Sequence, residues 1–539
     1  MPDEVEIYGL GAVEPLITNT TRRSTMRITN KMMTNNMLHN INTNKTNMTN
    51  LENKYASGMA IQKPSDDPII AVRALKLRTN LSELTQYYEK NIPDAMSWMD
   101  VTESALRNTS EIITQIHTYC DQGANDTLTV DERNSIAQNL IELRNHIYNE
   151  GNSNYAGRYV FTGYKTSTPL IFESKEENTE YTITEDIEPS EIEISNRVVD
   201  SLSTELDLGN YMAADTTLDP EKSTVYRLRL SYNNLKDGGN FSLKIPKLDS
   251  KGNYELDPVT GERQYDEEID ASGMTVKKST DTDAYKPADD EIILLEDTGE
   301  IILGKNKYDE WRNSKFEVTY EKNTFEKNDL RPEHYFKCTT KDLTITDLAE
   351  RDEKAINYTV QEQDITYEIN FNQRLAIIVQ GRDAFKHSLG RAIDAIVKSL
   401  EEADAVKKQI TQVDKLLSDP TITDAQKTQL EDIKKILKEE LQLKESVSRE
   451  TFSRGLTAMD NEENTVNAAT SDIGTRYKRL ELTQDRLSTQ QVEFTDLLSQ
   501  NEDADLVDTI VNYNAANTVY NASLQAAGKV VKNTLLDFL

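Results

Sequence analysis

One apolar residue recurs at every seventh position through Met459, Val466, Ile473, Leu480, Leu487 and Phe494, with Tyr477 and Leu498 at intervening places. A seven-residue period held that long predicts a helix with a narrow seam lying along other helices. After Asn501-Glu502-Asp503 the register slips by one residue. A second seam begins there: Leu506, Ile510, Tyr513, Asn517, Tyr520, Leu524, Ala527 and Val531. No Pro interrupts Ser471–Leu539, and the chain closes on Leu535-Leu536-Asp537-Phe538-Leu539, an apolar end that wants a partner. Near the other end, residues 30–57 are rich in Asn and Thr but carry a thin line of Met33, Met37, Ile41, Met48, Leu51 and Tyr55, with Asn44 in the place between Ile41 and Met48. Asn and Thr are mediocre helix formers, so this helix is marginal alone. Its complement is the second C-terminal seam, and the two ends are expected to pair. The assembly residues on this reading are Met33, Met37, Ile41, Met48, Leu51, Leu506, Ile510, Tyr513, Tyr520, Leu524, Val531 and Leu536.

Between the ends, the pattern changes period twice. Asp66-Asp67-Pro68 opens a helix, with Asp67 as its cap and Pro68 at its first position, and Ile70, Ala74, Leu77, Leu81, Leu84 and Tyr88 follow on one face. Pro93 is expected to kink or divide the helical run. Ile92, Met99, Leu106, Ile113 and Cys120 then stand seven apart, which makes Cys120 a core residue. Thr129 and Glu132 form a capping box before Ile136, Leu140, Leu143 and Ile147. From Asn154 to Thr166 the period drops to two, and residues 167–374 read as strands and turns. In that region Lys236–Asn240 is read as the turn of a hairpin joining Thr224–Leu230 to Phe241–Ile245, and Glu291–Gly304 as another hairpin. His334 is expected at the surface or in a turn. Ile365–Ile369 and Leu375–Val379 return as strands. Helices resume with Leu389, Ile393, Ile396, Leu400 and Ala403, and 404–450 is expected to be an inserted helical hairpin broken at Asp419-Pro420. A free coiled-coil docking arm is the alternative reading of that hairpin.

Composition narrows the function. The 539 residues carry a net charge of −32, which argues against a phosphate backbone as partner. Two cysteines form neither a disulfide framework nor a zinc site. No apolar run is long enough to span a membrane. Residues 1–25 lack the pattern of a cleavable signal peptide and are expected to be an extension preceding Met26. Five His residues stand far apart, and no phosphate-binding, dinucleotide, zinc-protease or hydrolase motif is complete. No enzyme activity, metal or cofactor is expected.

Three motifs in this order carry a resemblance. Gly157-Arg158-Tyr159-Val160-Phe161-Thr162-Gly163-Tyr164-Lys165-Thr166 resembles a signature of the bacterial flagellar hook-associated protein 3 family, the hook–filament junction proteins of the flagellin-like superfamily. Pro64–Pro68 and Ser499–Asp505 resemble that family's first-domain and C-terminal motifs. Asp66, Asp67, Pro68, Gly157, Arg158, Tyr159, Phe161, Gly163 and Tyr164 are the motif residues. The resemblance covers about 26–166 and 375–539 and implies a mainly α fold with an inserted β domain, in which discontinuous N- and C-terminal helices pair. The expected domains are 26–66 with 500–539 as a terminal helical pair, 67–168 with 375–499 as a helical bundle, and 169–374 as a variable β-rich outer domain. The resemblance also implies a structural role, joining flagellar hook to filament. Its partners would be the neighbouring hook-associated protein and flagellin, other copies in a ring, and an export chaperone on the C-terminal helix. It would place the chain outside the cell, delivered by the flagellar export apparatus. A flagellin-type filament subunit is the alternative; a secreted enzyme acting on polymers has no residue constellation in its favour.

Overall fold

A computed structural model describes residues 30–125, 128–202, 211, 218–249, 251–281, 283–360 and 363–536, with side chains at all of these except Asn30 and 530–536. The expected extension 1–25 lies outside the described residues. Two compact units divide the chain. The first runs to Glu83 and resumes at Thr489; the second is Leu84–Ser488. The first unit is therefore wider than the expected 26–66 with 500–539.

In the first unit, helix α1 (Asn30–Ser57) is followed by α2 (Pro68–Gln86), whose last residues pass into the second unit. Pro93 stands where the helical run is divided, at the start of a new α-helix. A π-helical turn at Tyr87–Asn91 leads directly into α3 (Ile92–Ala124), which carries the Pro near its start. One widened turn absorbs the missing N–H of Pro93. Helix α4 (Val130–Glu150) starts on the expected capping box: Glu132 N–H donates to Thr129 Oγ1, and Thr129 N–H donates to the Glu132 carboxylate at 2.8 Å.

The return helices are α5 (His387–Leu417) and α6 (Asp424–Glu502), the latter 79 residues long. The seven-residue line of Met459, Val466, Ile473, Leu480 and Leu487 is buried throughout, as are Ile92, Met99, Leu106, Ile113 and Cys120 on α3. Gly455 lets α6 sit close: a Cβ there would stand 3.0 Å from Ile396 Cδ1 and 3.4 Å from Cys120 Sγ. Burial pushes the Cys120 thiol up to about 12, so it stays protonated and unreactive. The expected helical hairpin is present: α5 and α6 run through 404 and 450 unbroken and turn at Ser418–Thr423. Its apolar face is covered by Leu202 and Tyr211, which pack with Val406, Val413, Leu430 and Ile433, so the free-arm reading fails.

The strands begin with the short hairpin β1 (Asn154–Tyr155) and β2 (Arg158–Tyr159). Two sheets then pack face to face. The five-stranded sheet has the order β4 (Glu193–Val199), β5 (Glu221–Arg229), β10 (Glu300–Leu303), β9 (Ile292–Leu295), β8 (Thr275–Lys277). The six-stranded sheet has the order β13 (Ile356–Tyr358), β12 (Lys337–Asp342), β3 (Thr179–Ile187), β11 (Phe316–Lys322), β6 (Phe241–Pro246), β7 (Tyr265–Asp270). Ile183, Leu243 and Val318 of one sheet share a core with Leu228, Leu294 and Ile301 of the other. The 236–240 turn is therefore not a hairpin turn, because β5 and β6 belong to different sheets. Each buries one apolar face, and the chain crosses between sheets so that those faces meet across the core. A last hairpin, β14 (Thr366–Asn370) and β15 (Gln373–Ala376), precedes α5. His334 does lie in a turn, a 3₁₀ turn at Pro332–His334, but it is half-buried rather than at the surface, and that burial brings its pKa down to about 4.

The five-stranded sheet is tied to α5 by buried charge, which periodicity does not reveal. Arg227 donates to Glu193 at 2.8 Å and to Glu300 at 2.5 Å, and Tyr285 donates to Glu300 at 3.0 Å. Arg229 reaches the Arg391 carbonyl of α5 at 2.5 Å. Burial alone would raise the Glu300 pKa, but Arg227, Arg197 and Arg391 hold it down at about 2. Glu185 is the opposite case. It is buried with Ser231 as a donor at 2.6 Å, and burial lifts it to about 7. Folding thus favours protonated Glu185. The stability it supports is complete below the ordinary value of 4.5 and is lost as pH rises through about 7. Glu185→Gln should remove this dependence: thermal unfolding of the β region at about pH 5 and about pH 8 should differ less in the variant than in the parent, by a few kcal/mol at most.

Candidate assembly surface

Helices end on backbone groups that lack partners, and in the first unit two such ends complete each other. The chain breaks between α1 and α2, and again between α6 and α7 (Leu506–Leu536). Ala60 N–H donates to the Glu502 carbonyl at 2.6 Å, and Ala504 N–H to the Gly58 carbonyl at 2.8 Å. The Asn501 side chain donates to the Ile70 carbonyl at 3.2 Å. Arg78 holds the nearly buried Glu502 carboxylate at 2.7 Å. Gly58 has a φ of +71°, a conformation that costs a glycine little.

The motif residues serve this junction. Asp67 Oδ1 accepts from Ile69 N–H at 3.0 Å and Ile70 N–H at 3.1 Å, capping α2 as the sequence predicts. Asp66 turns the other way and accepts from Gln62 N–H and Lys63 N–H. Those two bonds hold its pKa below the usual carboxylate range. Across the junction, Asp505 Oδ1 caps α7, accepting from Val507 N–H at 2.9 Å and Asp508 N–H at 3.1 Å. Two motifs more than four hundred residues apart are thus the two halves of one construction. The cap at Asp505 and the Arg78 partner were not picked out from sequence. The Asp505-Leu506 boundary, an Asp before an apolar residue, is the signal that could have found the cap.

From the junction, α1 and α7 run antiparallel, with Asn44 Nδ2 donating to Ser523 Oγ at 2.9 Å. On α1 the covered residues are Thr34, Met37, Ile41, Asn44, Met48 and Leu51; Met33 and Tyr55 are exposed. On α7 the covered stripe is Thr509, Tyr513, Ala516, Tyr520, Ser523 and Ala527. This corrects the expected seam. Tyr513, Tyr520 and Ala527 belong to both stripes and Asn517 is half-covered, but Leu506, Ile510 and Leu524 are 48%, 39% and 44% exposed. Two four-three stripes lie side by side on α7. The one facing α1 sets Tyr513 and Tyr520 among Thr, Ala and Ser; the aliphatic one is left outside. Val507 and Val511 widen it, and Ile69, Val72 and Leu75 form a second exposed line on α2. The side chains of Val531 and Leu536 lie outside those described.

The second unit holds the other motif. Ala156 and Gly157, both at positive φ, make the turn between β1 and β2. Arg158 stacks over Trp98 at 5.0 Å. Phe161 packs edge-on against Phe385 at 4.9 Å, and its carbonyl accepts from Gly381 N–H at 2.7 Å. Tyr159 N–H donates to the Thr166 carbonyl at 2.8 Å. Gly163 is at positive φ. Tyr164 is exposed, and its N–H donates to Gln363 at 2.9 Å. These residues fasten the start of the β region to α3 and to the Gly381–Phe385 segment that precedes α5. Among the described residues no group of three or more His, Cys, Asp or Glu could hold a metal ion, and no helix is long and apolar enough to cross a membrane.

Comparison with known proteins agrees with this arrangement. Residues 28–166 match the bacterial flagellin N-terminal helical region, and residues 456–539 the bacterial flagellin C-terminal helical region. The chain is 32% identical over 145 residues to flagellar hook-associated protein 3 of Salmonella typhimurium, covering 26% of this chain and 44% of that protein. It is 29% identical over 151 residues to flagellar hook-associated protein 3 of Escherichia coli, covering 28% of this chain and 47% of that protein. A flagellin of Clostridium tyrobutyricum is 31% identical over 122 residues, 23% of this chain and 32% of that one. The chain thus spans less than half the length of these relatives. The solved flagellar hook-associated protein 3 of Legionella pneumophila aligns with 79% of this chain and 97% of its own at 11% identity, with a TM-score of 0.30, too slight a likeness to bear on function.

Asp67→Ala and Asp505→Ala should each cost about 1 kcal/mol at the junction. Hydrogen exchange should report it as lost protection at residues 58–80 and 499–512, with 92–150 unchanged. Because both caps belong to one junction, linked through Asn501 with Ile70 and Arg78 with Glu502, the double variant should depart from the sum of the singles by about 0.5 kcal/mol or more.

Proposed function

We propose that this chain, flagellin-like at both ends, is a structural component of the bacterial flagellum that joins hook to filament. The observation that carries the reading is the apolar stripe left outside on α7, at the end of a unit whose two strands of chain match flagellin terminal regions. Contiguous exposed apolar positions mark an interaction surface. The relatives named hook-associated protein 3 supply the place of that surface in the organelle. On this reading the partners are the adjoining hook-associated protein below, flagellin above and sister copies around a ring, with an export chaperone covering the α7 stripe beforehand. On the same reading the chain acts outside the cell, delivered by the flagellar export apparatus, and its role is structural.

The match to a flagellin favours a second reading, a filament subunit. Both readings use head-to-tail contacts that do not close on themselves, and they differ in how far self-association can run. Purified chain added to flagellar fragments should give short caps at one end under electron microscopy. Filaments many times the seed length, grown from this chain alone, would make it a filament subunit.

Ile510→Asp with Leu524→Asp should abolish incorporation at those ends. Both positions are already partly open to solvent, so the charges add little to the isolated chain, whereas burying them at an interface costs several kcal/mol. The thermal transition of the isolated chain should be unchanged; its loss would place the stripe in a core instead.

A further inference from the structure

A groove of about 920 Å³ lies on the outward face of the six-stranded sheet, away from the shared core. Alternation along β3 and β11 sends Ile183, Ile187, Val318 and Tyr320 inward, so Thr184, Asp186, Glu317 and Thr319 stand on the other face. The register aligns Thr184, Thr319 and Ser242 across three neighbouring strands. The result is a row of hydroxyls, with 3.0 Å between the two threonines. Arg263 stands at one end of this floor, donating to Glu317 at 2.8 Å and to Asp186 at 3.0 Å. The segment from Gly261 to Tyr265 walls one side; Phe336, Lys337 and Val360 wall the other.

The lining excludes several occupants. Its acids, Asp186, Glu262 and Glu317, are matched in number by Lys244, Arg263 and Lys337, so the groove is neutral in a chain of net charge −32. Nucleic acid needs a basic track, and a strongly basic chain needs an acidic one. An extended peptide joins a sheet through the main chain of an edge strand, whereas this is a face whose main-chain groups are already paired within the sheet. What remains is a neutral ligand whose hydroxyls both donate and accept, matched to the row of Thr184, Thr319 and Ser242. The volume is near the upper end for small-ligand sites, about 300–1,000 Å³, enough for a few linked rings.

We propose that this groove binds a neutral saccharide chain. The test is isothermal titration of the full chain with cellohexaose, mannohexaose and N-acetylglucosamine hexamer. Saturable binding to at least one is the expected result. Ser242→Ala with Thr319→Val, which strips hydroxyls from an outward face, should weaken that binding about tenfold or more, with the thermal transition unmoved. Raising salt from about 0.05 M to about 0.5 M should change the affinity less than about twofold, since no ligand charge is involved. Binding to none of the three sugars overturns the proposal. So does affinity that survives the double variant within about twofold, or that falls steeply with salt.

Discussion

A helix cannot simply be cut, because each cut frees backbone donors and acceptors that must find partners. This chain breaks near its beginning and again near its end, and each break satisfies the other. The Gly58 and Glu502 carbonyls take the N–H groups of Ala504 and Ala60, and Arg78 closes over Glu502. Without that exchange α1 would be a polar helix rich in Asn and Thr with nothing to set its direction. With it, the first twenty-eight described residues are led back along the last helix. The antiparallel pair is a consequence of the junction as much as of any seam.

Much of this was legible in advance, and the reasons differ by element. The seven-residue line of α6 from Met459 to Leu487 and the four-three line of α5 were visible because their residues are apolar and buried. The caps at Asp67 and Thr129 were visible because capping is local chemistry, settled within three residues. The β region was legible as strands but not as sheets. Strand pairing is settled by contacts between residues far apart in sequence, and β5 with β6 looks like a hairpin until the shared core is seen. The clamp of Arg227, Glu193 and Glu300 was invisible for another reason: a charged residue in a strand looks exposed unless its partner is known. In this acidic chain the partners were everywhere.

The sharpest misreading concerns α7, and its cause is physical. Apolar weight points to Leu506, Ile510 and Leu524, while burial falls on Thr509, Ala516 and Ser523. The stripe against α1 sets Tyr513 and Tyr520 among small residues, while Leu506, Ile510 and Leu524 face elsewhere. A pattern of hydrophobic positions does not distinguish burial inside the chain from burial that awaits a partner.

That ambiguity bears on how the ends can work. Apart from Tyr513 and Tyr520, both only part-buried, the inner stripe is Thr, Ala and Ser, so the pair gains a modest amount from its own contact at about 25 cal/mol per Å² against the backbone entropy of ordering two helices. The outer stripe holds the larger apolar residues and is unused within the chain. On the proposed function those residues are the apolar area that a partner would cover, and covering them would add to the order of the terminal pair.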